Sequence, residues 1–236
     1  MTSTASDNPS VSLMSTLAVK GALIDTVIPD FIGRTGIGVA CTFEPTNVLR
    51  EQISRGARAD LLIATRPYVE SLVRGGIADG STLRPLVRTG IGVAIAATGT
   101  HVSLSTVDDL KKLLLDARSV AYSKTGASGV YFATLIRELG IADRVNARAT
   151  IIPQGFTGEC INRGEADVAI QQMSELAVVP GLTIVGPLPE EVQCYTDFSV
   201  AGLSSQASSS AGIALQEALF SDGARGAYRR LGLSVF

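Results

Sequence analysis

The chain has 236 residues, 46% of them apolar, enough for one large or two small domains around a substantial core. Its formal net charge of −2 leaves no basic footprint for nucleic acid. No apolar run approaches the roughly 18 residues that a membrane-spanning helix needs, so insertion into a bilayer is not expected either.

Residues 1–10 are polar and are expected to form a disordered tail. They lack the basic start and apolar stretch of a secretory signal, which points to the cytoplasm, or to the periplasm if a signal peptide has been removed. Residues 11–17 read as a strand. Leu23, Ile24, Val27, Ile28 and Phe31 then recur at helical spacing, with Gly33 and Gly36 as stops. Residues 37–43 form a second strand running into Pro45, after which Thr46 or Asn47 can cap a helix carrying Val48, Leu49 and Ile53. Residues 59–64 give a third strand, and Pro67 suits the first turn of the next helix. This alternation of strand and helix argues for an α/β fold with largely parallel sheets.

The seven residues Arg34-Thr-Gly-Ile-Gly-Val-Ala40 recur as Arg88 to Ala94, and each copy reads as a glycine-led buried strand. The second copy extends through Ala97 as a long apolar strand suited to cross between domains. A helix opens near 104–110, and 119–122 reads as a buried strand. It leads into the turn Ser123-Lys-Thr-Gly-Ala-Ser-Gly129 and a helix with Tyr131, Phe132, Leu135, Ile136 and Leu139 at its apolar spacing. A turn of small residues before a helix presents free backbone N–H groups at the positive end of the helix dipole, which suits an anion. Further strands are expected at 150–154, 168–171 and 182–186. Gly155, Phe156, Thr157 and Gly158 form a turn between the first two, and 193–203 reads as a return crossing. Ser204 to Ser210 reads as a polar linker before a helical tail reaching 231.

The inventory narrows the chemistry. His101 is the single histidine, which excludes a Ser-His-Asp triad. Cys41, Cys160 and Cys194 are odd in number and widely spaced, so neither a disulfide framework nor a metal site is expected. The dinucleotide and phosphate-loop fingerprints are both incomplete, and no cofactor is implied.

Leu13-Met-Ser-Thr-Leu-Ala-Val-Lys-Gly-Ala-Leu23, Ala59-Asp-Leu-Leu-Ile-Ala64, Gly126-Ala-Ser-Gly-Val-Tyr131, Gly164-Glu-Ala-Asp167 and Val185-Gly-Pro-Leu-Pro189 appear in collinear order. Together they resemble the molybdate-binding branch of type II periplasmic binding proteins. The resemblance implies two α/β lobes joined by two crossing strands, with a small anion held at helix N-termini in the cleft. Lobe 1 would comprise 11–90 plus 193–236, and lobe 2 would comprise 91–192. Ligand contacts are then expected from Thr16, Thr46, Asn47, Arg66, Ser123, Thr125, Gly126, Ala127, Ser128, Phe156, Thr157 and Gln172.

The sequence departs from that branch at several of these places. Thr46 and Asn47 stand for a usual serine pair, Ala18 for a usual serine, and Gln172 for a usual tyrosine. Arg66 and Lys20 would favour planar carboxylates, because Arg makes paired bonds to them. The segment Gln171-Gln-Met-Ser-Glu175 and the Gly126 turn are similar to the aconitate isomerases, a branch of the same fold. This implies an isomerase moving a proton between two carbons of a di- or tricarboxylate. Lys20, Glu44 and Tyr131 are candidate acid–base groups, with Lys124 and Glu175 as further ones. Each has a bland alternative as a surface charge or core side chain. The other reading is a receptor for molybdate, tungstate or an organic anion, delivering to an ABC permease if the protein is exported.

Overall fold

The structure, a computed structural model, describes residues 10–97, 102–203 and 209–236. Residues 1–9, His101 and most of the serine linker lie outside the described residues. Two α/β lobes are joined by crossing strands. In the first half of the sheet, β1 (Ser10–Ser15) pairs in parallel with β2 (Gly38–Phe43) and β3 (Leu61–Thr65). The central strand is β4, Asp79–Ala96, 18 residues long. Its early residues pair with β9 (Tyr195–Gly202) and with the short C-terminal β10 (Ser234–Val235). Its later residues, from Ile91, pair with β7 (Val168–Gln172) and β8 (Leu182–Pro187). Beyond β7 lie β5 (Val120–Ser123) and β6 (Thr150–Ile152), both parallel.

The apolar cores separate accordingly. One draws on Leu13, Leu23, Phe31, Ile63, Val200 and Tyr228, so the helices Ser210–Ala218 and Asp222–Arg230 pack with the first third of the chain. Another draws on Ile91, Val93, Leu114, Tyr122, Phe132 and Ile170. The β4 strand is buried on both faces where it passes between helices, which explains its unbroken apolar run.

Two expectations fail for identifiable reasons. Ile24 is not a core residue but 46% exposed. The first long helix, residues 17–35, contains a π-helical turn at Leu23–Val27, where the Ile28 N–H reaches back five residues to the Leu23 carbonyl. That extra residue rotates Ile24 outward while Leu23, Val27 and Ile28 stay buried. The repeated heptapeptide also takes two structures. The second copy is buried strand, but the first ends a helix at Thr35, turns at Gly36 (φ 70°) and enters the half-buried β2. Gly36 sits left-handed, where a side chain would be strained, and Gly33 lies inside the helix.

Three buried side-chain atoms have no partner among the described residues, and one of them is the Tyr228 hydroxyl in the first core. An unsatisfied hydroxyl there costs roughly 1–3 kcal/mol. Tyr228→Phe is therefore expected to stabilise the protein by about 1 kcal/mol in urea denaturation. A clear loss would show that the hydroxyl has a partner.

Candidate functional site

Three helix starts converge on one small cavity between the lobes. After β1, Thr16 is extended (φ −64°, ψ 158°) and turns the chain into the first long helix, so that Thr16 and Leu17 line the cavity. The Thr16 N–H donates to the Ile63 carbonyl at 2.9 Å, fixing this turn to β3. After β2, Pro45 is likewise extended (ψ 146°), and Thr46 begins the helix Thr46–Ser54. Neither Thr46 nor Asn47 caps that helix; instead the Thr46 hydroxyl accepts from the Thr65 N–H at 3.3 Å. Its own proton is left free to donate.

From the other lobe, β5 delivers Ser123 and the helix Ala127–Glu138, with Gly126, Ala127 and Ser128 on the wall. The Ser123 hydroxyl accepts from the Gly126 N–H at 2.9 Å and the Thr125 N–H at 3.3 Å, again leaving its proton to donate. The helix start lies so close to β5 that a Cβ at Gly129 would stand 1.8 Å from the Ser123 carbonyl oxygen. First-turn N–H groups have no acceptor inside their helix, so the wall presents amides and hydroxyls as donors.

The remaining wall comes from the end of β7 and the helix Met173–Ala177: Gln171, Gln172 and Glu175, with Phe198 from β9. The Gln172 amide nitrogen donates to the Thr196 hydroxyl at 3.0 Å, while its oxygen is buried without a partner among the described residues. Glu175 is the one titratable side chain among the described residues lining the cavity. Burial pushes its carboxyl up to about 8, opposed by the Gln172 backbone and the Gln171 side-chain amide. The cavity measures about 20 Å3, room for a water molecule or two.

The other expected site residues stand elsewhere. Asn47 is at the rim, its Nδ2 donating to the Thr125 carbonyl at 2.9 Å and tying the lobes together. The Thr125 hydroxyl donates to the Pro153 carbonyl at 2.5 Å. Lys20 lies on the cleft edge over the rings of Phe43 and Phe156, at 5.6 and 5.4 Å, beside an open groove of about 430 Å3. Thr157 is fully buried behind the wall, its N–H donating to the Gln171 amide oxygen and its hydroxyl shared between that oxygen at 3.0 Å and the Ile170 carbonyl at 3.3 Å. Arg66 turns back along its own helix to Glu70 at 2.7 Å and lines a separate groove with Asp197. Tyr131 packs against the second core and donates to the Val192 carbonyl at 2.9 Å, facing away from the cavity. Glu44 is half-buried, outside the lining, with its N–H on the Ser15 carbonyl. Lys124 is exposed. The cavity thus gathers Thr16, Thr46, Ser123, Gly126, Ala127, Ser128 and Gln172 but no cation. Among the described residues no group of acidic, His or Cys side chains could hold a metal ion.

A two-lobed α/β fold with helix starts converging on an interlobe cavity is the architecture of the periplasmic-binding-protein superfamily. The chain belongs to the bacterial extracellular solute-binding protein family, whose sequence profile matches residues 13–234. It is 29% identical over 229 residues to an aconitate isomerase from Pseudomonas sp, covering 94% of this chain and 87% of that protein. The periplasmic molybdate-binding protein of Azotobacter vinelandii superposes with a TM-score of 0.77 at 16% identity, covering 94% and 98% of the two chains. The sulfate-binding protein of Mycobacterium tuberculosis gives 0.68 at 17% identity, covering 95% and 86%.

Proposed function

We propose that the protein is a cofactor-free isomerase that moves a proton between two carbons of a small di- or tricarboxylate, with Glu175 carrying the proton. The observation behind this reading is that the one titratable side chain among the described residues lining the cavity is a buried carboxyl group, set among neutral hydroxyls and amides. A receptor needs no such group, and burying one lowers stability. A carboxyl pushed up to about 8 is instead a base of useful strength near neutral pH. The likeness to an aconitate isomerase supports the same reading.

In this reaction the Glu175 carboxylate removes a proton from a methylene next to a substrate carboxylate. The freed electron pair forms a new C=C bond, and the old C=C pair moves to the far carbon. Charge developing on the substrate carboxylate is held by the first-turn amides of the helices starting at Thr46 and Ala127, and by the Thr46 and Ser123 hydroxyls. The protonated Glu175 then returns its proton two carbons away. No net oxidation or gain of water occurs.

A tricarboxylate exceeds the present cavity volume, so the lobes must part to admit one. Parting breaks the Asn47–Thr125 hydrogen bond and the contact of Lys20 with Phe156. Closure then excludes water while the proton moves.

A specific observation favours a second reading, an oxyanion receptor serving an ABC permease: the described lining holds no cation, and hydroxyls with amides suit a tetrahedral anion. Thermal unfolding distinguishes the two. Citrate-like tricarboxylates are expected to raise Tm by more than molybdate does at equal concentration. A shift with molybdate and none with any carboxylate would overturn the isomerase reading.

A further inference from the structure

Of the buried side-chain atoms without a partner among the described residues, the Gln172 amide oxygen is the one whose residue lines the interlobe cavity. Gln172 is 2% exposed and ends β7, and its nitrogen donates to the Thr196 hydroxyl of β9 at 3.0 Å. The two residues pair with Ile91 and Thr89 on β4, so neighbouring strands hold the amide in place. With the nitrogen turned to Thr196, the oxygen is the end offered to the cavity. Gln171, the other amide on the wall, is already bonded at both ends. Its oxygen accepts from the Thr157 N–H at 2.7 Å and its nitrogen donates to the Gly155 carbonyl at 2.9 Å. The helix starts across the cavity present N–H and O–H groups, which suit the negative end of a ligand. Gln172 presents the opposite polarity.

We propose that Gln172 is a specificity-determining residue whose amide oxygen accepts a hydrogen bond from the ligand, so that the cavity prefers anions carrying an O–H beside their negative charge. The proposal rests on the reading of the interlobe cavity as the site of a small carboxylate and deepens it. A carbonyl oxygen buried without a donor is costly, and a ligand that brings the donor recovers that loss. An ionised ligand oxygen in the same place would meet the negative end of the amide dipole. The favoured ligands are therefore hydroxy-substituted di- and tricarboxylates. A polycarboxylate without an alcohol meets the same demand by keeping one carboxyl protonated. Discrimination is steep at such a site, because the wrong ligand leaves a buried polar atom unpaired.

The test is calorimetric titration of the full chain with ligands matched in shape and differing by one donor. Citrate is compared with tricarballylate, which has hydrogen in place of the hydroxyl, and hydrogen phosphate with sulfate. At a pH where every ligand carboxyl is ionised, citrate is expected to bind about tenfold tighter than tricarballylate. In Gln172→Met the preference is expected to fall to about threefold or less, the loss falling on citrate. In Thr196→Val, which frees the amide to turn, it is expected to shrink. Equal affinities in the wild type would overturn the proposal. So would a preference for tricarballylate, which would mean that the nitrogen faces the ligand. A citrate preference that survives in a folded Gln172→Met protein would overturn it too. Should Gln172→Met fail to fold, an undiminished preference in Thr196→Val would do the same. If tetrahedral anions alone bind, the carboxylate reading fails and the second pair decides: hydrogen phosphate above sulfate sustains the acceptor role of Gln172, and equal affinity ends it. A citrate preference in a protein that converts no cis-aconitate would sink the isomerase reading and leave this one standing.

Discussion

Glu175→Gln is expected to lower isomerisation by about 100- to 10,000-fold, the usual contribution of a positioned acid–base group, while substrate binding survives. Glutamine keeps the shape and hydrogen-bonding capacity of the neutral acid but cannot carry a proton. The same substitution is expected to alter stability in a pH-dependent way, and the sign follows from linkage. The Glu175 pKa is raised in the folded state from 4.5 to about 8. Below 4.5 both folded and unfolded states hold the proton, and the carboxyl does not disfavour folding. As pH rises toward 8 the unfolded chain gives up its proton while the folded protein keeps it, so stability declines across that window. Glu175→Gln should therefore match the wild type in Tm near pH 4.5 and exceed it near pH 8. In the wild type, kcat/KM should climb with pH and level off above about 8, as the base form fills. A Glu175→Gln protein with full activity, or a Tm difference that shrinks as pH rises, would remove Glu175 from the chemistry.

Gly129→Ala is expected to damage the fold at the site itself. The added methyl would stand 1.8 Å from the Ser123 carbonyl oxygen and 2.9 Å from the Ser123 nitrogen. Both are backbone atoms of a buried strand end, so no side chain can swing away to make room. The helix start must lift off β5, opening the wall formed by Gly126, Ala127 and Ser128. Overpacking of this kind costs about 3 kcal/mol, equivalent to a fall of roughly 6–12 °C in Tm for a chain of this length. Anion binding should weaken with it. Gly33→Ala is the control, because nothing lies within 4 Å of its would-be Cβ and it sits inside a helix. There the substitution should be neutral or stabilising. Equal Tm values for the two variants would contradict the packing described at Ser123.

The same two regions show what the amino-acid sequence disclosed and what it concealed. The helix starts at Thr16, Thr46 and Ser123–Ser128 were legible because small and hydroxyl residues between a strand and an apolar-periodic helix announce themselves locally. Their convergence was legible only through resemblance to a fold family, since periodicity says nothing about which turns meet. Arg66 illustrates the opposite error. Its position at a strand end suggested the cleft, but Glu70 stands one helical turn away and takes the guanidinium instead. The repeated heptapeptide shows the reach of tertiary context, ending a helix in one copy and forming a buried crossing strand in the other. Glu175 was one of several carboxylates whose role no local pattern could rank. A clue lies in its spacing: it follows the end of β7 by three residues, so the first turn of its helix returns it to the strand's end.

The most direct measurement is 1H NMR of cis-aconitate incubated with the wild-type protein. Chemistry at the interlobe cavity requires olefinic signals of the trans isomer to grow at the expense of the cis isomer, without added metal or cofactor. Saturable binding with no trans signal, even above pH 8 where the carboxyl is ionised, would contradict it.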